Sequence, residues 1–128
     1  MEPNEPLRVL IVDDEAPARA RLLDLLGDIA AEQPSEIVGL AANGVEALRL
    51  IEAHAVDVVL ADVRMPAMDG VELARRIVGR EDAPHVIFTT AYDEHAVEAF
   101  ELAATDYLVK PVRAARLAEA LGRARARM

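Results

Sequence analysis

Five short apolar runs alternate with five helix-like patterns along the 128 residues of this chain, and no other feature limits its possible folds as strongly. Such alternation is typical of βαβ units built around a parallel sheet. The first run is almost entirely Leu, Val and Ile, as expected for a parallel strand that is buried on both faces. The pattern predicts strands at residues 7–12, 36–40, 58–61, 85–89 and 106–109.

The segments between the runs have the spacing of amphipathic helices. In the second of them, Val45, Leu48 and Ile51 are predicted to face inward. Asp69 is the predicted N-cap of the third helix and Asp93 that of the fourth, because a short side-chain oxygen satisfies free N–H groups there. The fifth helix is predicted at residues 112–126.

Right-handed crossovers are nearly obligatory between parallel strands, which leaves few arrangements for five such units. We predict the strand order 2-1-3-4-5, that is, a flavodoxin-like doubly wound α/β sheet with five helices. The chain length suits a single domain, with its core at about residues 7–122.

Composition narrows the function classes. The net charge is −9, which disfavours nucleic-acid binding by the chain itself, because phosphate contacts require clustered Lys and Arg. Cysteine is absent, so disulfides and thiolate metal sites are excluded. No targeting segment and no apolar stretch of roughly 20 residues is present, and we expect a cytoplasmic protein without a membrane partner.

Polar residues follow four of the predicted strands. Asp13 and Asp14 follow the first strand and Asp62 follows the third, which is its neighbour in the predicted order. Three carboxylates this close repel one another, and a shared Mg²⁺ would relieve the repulsion while leaving coordination positions open for a phosphoryl group. Thr90 and Lys110 follow the other two strands and can bind phosphoryl oxygens, so Asp62 is the candidate nucleophile.

Together these motifs resemble the response-regulator receiver domain of two-component signalling over almost the whole chain. They are Asp13-Asp14, the run from Asp62 to Asp69-Gly70, Thr90-Ala91 and Lys110-Pro111. The segment FTTAYDEHAVEAFELAATDYLVKPV further resembles receivers of LytTR-class transcriptional regulators.

The resemblance implies that Asp62 accepts phosphate from a sensor histidine kinase. It implies direct Mg²⁺ ligation by Asp14, Asp62 and the backbone carbonyl of Arg64, and ligation by Asp13 mostly through water. Thr90 and Lys110 would then bind the phosphoryl oxygens, and Thr90 with Tyr107 would form a conformational switch. Arg64 and Tyr92 occupy positions that tune the lifetime of the phosphoryl group in this family, and we expect both to slow hydrolysis.

The resemblance also implies an output surface formed by the fourth helix, the fifth strand and the fifth helix. A phosphorylation-dependent homodimer through this surface is expected, with acidic and basic residues paired across a two-fold axis. Residues 123–128 are interpreted as the start of a linker to a C-terminal DNA-binding domain that does not follow here. The acidic residues of the surface are Glu94, Glu98, Glu101 and Asp106.

Three other functions remain as alternatives. A Mg²⁺-dependent phosphatase with an Asp nucleophile is disfavoured, because such enzymes carry a second acid where this chain has Arg64. A nucleotide- or flavin-binding domain is disfavoured, because residues 7–22 contain no glycine for a phosphate-binding turn. A receiver-like interaction module would not need all of the site residues. We therefore expect a regulatory domain that catalyses only its own phosphorylation and slow dephosphorylation, and not an enzyme.

Overall fold

The structure is a computed structural model that describes residues 2–91 and 104–128. Its elements are β1 (Leu7–Val12), α1 (Ala16–Asp28), β2 (Ser35–Ala41), α2 (Gly44–Ala53), β3 (Val58–Asp62), α3 (Gly70–Ile77), β4 (His85–Thr90), β5 (Ala104–Val109) and the C-terminal helix (Ala114–Ala126). The predicted fourth helix falls on residues 92–103, outside the described residues.

All five strands are parallel and lie in the order β2-β1-β3-β4-β5, which confirms the predicted topology. The predicted strand ends are correct to within two residues. The C-terminal helix begins two residues later than predicted, because Val112 is buried before the helix and Arg113 is its N-cap.

The sheet separates two apolar layers, and β1 shows how the sequence builds both. Leu7, Val9 and Ile11 pack toward α1 and the C-terminal helix, whereas Leu10 and Val12 pack toward α2 and α3. Each such side chain contributes about 1.5–3 kcal/mol when it is buried. Strands that are apolar on both faces can hold charged residues only at their ends, and the polar residues that follow them therefore meet at one edge of the sheet.

Helix α2 corrects one expectation about its inner face. Val45 is exposed, and the fully buried residue is Ala47, with Leu48 and Ile51 only partly buried. The reason lies at the helix start, where Gly44 packs directly against Met68. This contact turns position 47, one turn later, toward the core and rotates position 45 outward.

The C-terminal helix is held in place at its last turn. Ala124 is fully buried. Arg125 next to it donates hydrogen bonds to the backbone carbonyl of Glu5 at 2.8 Å and to the side chain of Gln33 at 3.0 Å. Ala124 and Arg125 therefore attach the last turn of the helix to the domain, whereas Arg123 and Ala126 are exposed. None of the helices described is long and apolar enough to cross a membrane.

Candidate functional site

Three carboxylates meet at the carboxyl ends of β1 and β3, as the sequence predicts. Asp13 and Asp14 follow β1 directly, and Asp62 is the last residue of β3. One oxygen of each carboxylate lies within 4.8 Å of the others. Asp13 is buried, Asp62 is half-buried and Asp14 is exposed, so the cluster is reached from solvent through Asp14. In residues 2–91 and 104–128, no other group of His, Cys, Asp and Glu side chains has this spacing.

Asp13 is held in place through both of its carboxylate oxygens. Oδ1 accepts a hydrogen bond from the Glu15 backbone N–H at 2.9 Å, and Oδ2 accepts one from Lys110 Nζ at 2.9 Å. Arg19 adds a 2.7 Å hydrogen bond to the Asp13 carbonyl oxygen. Asp13 is therefore a fixed carboxylate on the buried side of the cluster, and its hydrogen bond with Lys110 fixes the position of that ammonium group.

Lys110 connects β5 to the carboxylate cluster. Its backbone N–H donates to the Thr90 carbonyl at 2.7 Å, and its Nζ lies 3.4 Å from Asp62 Oδ2. Burial by itself would lower the pKa of Lys110, but the hydrogen bond to Asp13 and the charge of Asp62 outweigh burial and raise that pKa. Lys110 is therefore a permanent cation between the two carboxylates.

Asp62 carries a charge that its neighbours compensate only in part. Burial raises the pKa of Asp62, and the nearby charge of Asp13 raises it further. The Lys110 ammonium and the Arg64 backbone N–H act in the opposite direction without cancelling the effect. The ionised Asp62 therefore gains from any additional positive charge brought into the cluster.

The hydroxyl and aromatic residues of the predicted switch lie on the strands beside Asp62. Thr90 is the last residue of β4 and is buried. Tyr107 is half-buried on β5 and packs in the same apolar layer as Phe88, its register partner on β4. The Arg64 side chain is exposed two residues beyond Asp62, and Tyr92 lies outside the described residues.

Gly70 ends the motif that begins at Asp62, and the structure shows why glycine is needed there, which the sequence did not. A Cβ atom at Gly70 would overlap the backbone carbonyl oxygen of Asp62. The Gly70 N–H also donates to the Val63 carbonyl at 3.0 Å, and Asp69 caps α3 through a 2.9 Å hydrogen bond to the Glu72 N–H. The close approach of α3 to the β3 backbone thus requires glycine.

Asp106 is paired within the chain, which the sequence did not predict. Arg116 of the same chain binds the Asp106 carboxylate with two hydrogen bonds of 2.7 and 2.8 Å. Arg123 adds a contact of 3.1 Å. Because sequence alone does not show how the C-terminal helix is rotated, this internal pairing could not be foreseen.

The donor set of the carboxylate cluster fits a hard divalent cation. All three candidate side chains offer oxygen, which Mg²⁺ prefers. The pKa of Asp62 is raised by burial and by the charge of Asp13, even with Lys110 beside it, so a further cation would stabilise the ionised form. The exposure of Asp14 leaves room for waters or a further oxygen ligand.

Comparisons with known proteins agree with this geometry. A family model described as "Response regulator receiver domain" matches residues 9–122. The positive alginate biosynthesis regulatory protein of Pseudomonas aeruginosa is 52% identical over 118 residues, which cover 92% of this chain and 47% of that protein. The chain spans about half the length of the curated relatives that it matches.

Two solved structures extend the comparison. The response regulatory domain of MrkE from Klebsiella pneumoniae is 36% identical, with a TM-score of 0.81 over 94% of this chain and 97% of that one. A CheX–CheY complex with BeF₃ and Mg²⁺ from Borrelia burgdorferi contains a chain that is 28% identical, with a TM-score of 0.80 over 91% of this chain and 87% of that one.

Proposed function

Because this chain belongs to the response regulator receiver domain family, we propose that Asp62 accepts a phosphoryl group from a sensor histidine kinase and so switches the domain between two states. The observation that carries the proposal is the partly compensated charge of Asp62 beside Asp13, Asp14 and Lys110. A carboxylate in this setting is stabilised when positive charge and a phosphoryl group enter together.

In the proposed reaction, a carboxylate oxygen of Asp62 attacks the phosphorus atom of a phosphohistidine. The new O–P bond forms while the N–P bond breaks, and the imidazole leaves with the electron pair. Lys110 would hold one phosphoryl oxygen by its charge, and the Thr90 hydroxyl would donate a hydrogen bond to another. The domain catalyses this transfer only on itself, and likewise the slow hydrolysis in which water attacks the phosphorus atom and releases inorganic phosphate and the Asp62 carboxylate.

Mg²⁺ is the cofactor that we infer for this transfer. Asp13, Asp14, Asp62 and the Arg64 backbone carbonyl would hold it, and the ion would neutralise charge on the phosphoryl oxygens. The Borrelia burgdorferi complex supports this part of the proposal, since it contains Mg²⁺ and BeF₃, which on a carboxylate oxygen has the tetrahedral shape of a phosphoryl group.

Phosphotransfer from acetyl phosphate tests the assignment directly. We expect labelling of the wild type with Mg²⁺, none with EDTA, and none for Asp62→Asn. Asp69→Asn is the matched control, because this neighbouring residue caps α3 and asparagine caps a helix equally well. Labelling of Asp62→Asn at the wild-type level would refute the proposal.

The side chains of Arg64 and Tyr92 are proposed to set the phosphoryl lifetime. Arg64 and Tyr92 would obstruct the water molecule that attacks the phosphorylated Asp62. We expect faster loss of phosphate in Arg64→Ala and Tyr92→Ala, followed by the decay of the labelled protein after removal of the donor. Unchanged decay in both variants would exclude this role.

The output is proposed to pass through Thr90 and Tyr107 to the surface formed by residues 93–103, β5 and the C-terminal helix. Phosphorylation would favour a homodimer through this surface. Sedimentation with BeF₃ and Mg²⁺ should then give twice the monomer mass, whereas an unchanged mass would exclude the dimer.

For the whole regulator, we propose a transcriptional output. The chain corresponds to a receiver domain, residues 1–128, and its last residues from 123 onward would lead into a linker to a C-terminal DNA-binding domain. The coverage of about half of each curated relative supports this arrangement. DNA would be contacted only by that second domain.

A further inference from the structure

Two arginines on the first two turns of α1 bind backbone carbonyl groups on either side of the carboxylate cluster. Arg19 donates a 2.7 Å hydrogen bond to the carbonyl oxygen of Asp13, and Arg21 donates one of 3.0 Å to the carbonyl oxygen of Val112. The first contact is local. The second joins residues that are 91 positions apart in the sequence, so it fixes two separate elements relative to one another.

The loop after β5 carries Lys110 and is separated from α1 by a groove. This groove has a volume of about 250 Å³ and largely apolar walls. It is lined by Pro17, Ala18, Arg21, Leu22, Thr89, Lys110, Pro111 and Val112. Because close packing does not set the distance between the helix and the loop here, that distance depends on the polar contacts that span the groove.

Arg21 provides the hydrogen bond that spans the groove. In the part of the chain that the structure describes, no other side chain of α1 bonds to residues 110–113. Its acceptor belongs to Val112, which is buried and lies two positions beyond Lys110. On its other side, Lys110 is fixed by its backbone N–H, which donates to the Thr90 carbonyl at 2.7 Å. The segment is thus held by β4 at one end and by Arg21 at the other.

The position of this segment matters because the Lys110 ammonium connects two carboxylates of the cluster. Its Nζ lies 2.9 Å from Asp13 Oδ2 and 3.4 Å from Asp62 Oδ2. Asp13 follows β1, which leads directly into α1. Arg21 therefore joins the element that follows Asp13 to the loop that carries Lys110. A loop that moved away from α1 would take the ammonium away from both carboxylates.

We propose that Arg21 is a positioning residue for Lys110 in phosphotransfer to Asp62, an inference that rests on the function proposed above. Arg21 acts through the backbone of the loop and not by contact with the reacting atoms. Misplacing a catalytic group by about 1 Å can cost about 10²-fold in rate. Without Arg21 the loop keeps its bond to Thr90, so we expect a smaller loss, of about 10-fold.

The rate at which acetyl phosphate labels Asp62 in the presence of Mg²⁺ tests this role, with the folding of each variant checked by circular dichroism. We expect a maximal rate about 10-fold lower in Arg21→Met. The rate should be closer to the wild type in Arg21→Lys, whose ammonium can still donate to the Val112 carbonyl. Arg113→Met is the matched control and should leave the rate unchanged, because this exposed arginine of the same loop makes no capping hydrogen bond with its side chain.

A double variant distinguishes positioning from a general structural effect. In Lys110→Met the ammonium group is absent, so adding Arg21→Met should lower the rate no further if Arg21 acts through Lys110. Equal rates in the wild type and Arg21→Met would overturn the proposal, as would an equal fold-loss with and without the ammonium. A wild type that is not labelled at all would instead refute the proposed function on which this role rests.

Discussion

Two carboxylates on strands of the same sheet, Asp62 on β3 and Asp106 on β5, lie in opposite electrostatic environments. Asp106 is almost fully buried, yet two arginines and the Tyr107 N–H hold it, and together they outweigh burial and lower its pKa. Asp62 is more accessible but has one lysine at 3.4 Å and a second carboxylate nearby, and its pKa is raised.

The difference distinguishes a carboxylate whose charge is fully paired within the chain, Asp106, from one whose charge is only partly paired, Asp62. The donors around Asp106 belong to the chain and are always present, so this charge attaches β5 to the C-terminal helix. The charge of Asp62 is balanced only in part by Lys110, so the binding of a further cation would stabilise it. Burial alone therefore does not identify a functional carboxylate, whereas the balance of donors around it does.

The largest expected effect is on Asp106. Asp106→Ala removes the hydrogen bonds from Arg116 and Arg123, and we expect a loss of about 3 kcal/mol in the free energy of unfolding, because both arginines stay partly exposed and keep Glu119 as a partner. Urea unfolding followed by circular dichroism measures it. A loss below about 1 kcal/mol would mean that the two carboxylates differ less than their contacts indicate.

Mg²⁺ should stabilise the folded protein through Asp62 and not through Asp106. At 100 times its dissociation constant, a cation that binds only the folded state stabilises it by about 2.7 kcal/mol. We expect this gain in the wild type and in Asp106→Asn, but not in Asp62→Asn, in thermal unfolding at matched ionic strength. An equal gain in all three would place the cation elsewhere.

Without divalent cations, Asp62→Asn should stabilise the protein, by less than either effect above. The substitution removes the buried charge and its repulsion by Asp13, while Lys110 keeps Asp13 as a partner. The result would be opposite in sign to that for Asp106, and destabilisation in urea unfolding would contradict the raised pKa.

The smallest effect is the pH dependence at Asp106. Because its folded-state pKa is lowered, its stabilisation is complete above the ordinary carboxyl range and is lost as pH falls through the folded value. The stability difference between the wild type and Asp106→Asn should therefore be constant near neutral pH and narrow in acid. A constant difference down to pH 3 would show that hydrogen-bond geometry, and not charge, accounts for it.

The sequence predicted the fold and the meeting of Asp13, Asp14, Asp62 and Lys110, because both follow from strand periodicity and from parallel strands ending at one edge. The predictions from sequence were incomplete where the outcome depends on the rotation of a helix about its axis or on a close contact of the backbone. Val45 faces outward because Gly44 fits against Met68, and Asp106 pairs internally because Arg116 faces β5. The sequence also could not show that the buried Thr89 hydroxyl has no hydrogen-bond partner among the described residues, because that depends on the groups that pack around it.

The contact between Arg125 and Glu5 has a practical consequence for engineering. It ties the first and last segments of the chain together near the start of β2, at the edge of the sheet where the strands begin. The carboxylates lie at the other edge, about one strand length of roughly 20 Å away. A tag or fluorescent protein fused at either end should therefore leave access to Asp62 open, whereas trimming the chain before Ala124 would release both ends together.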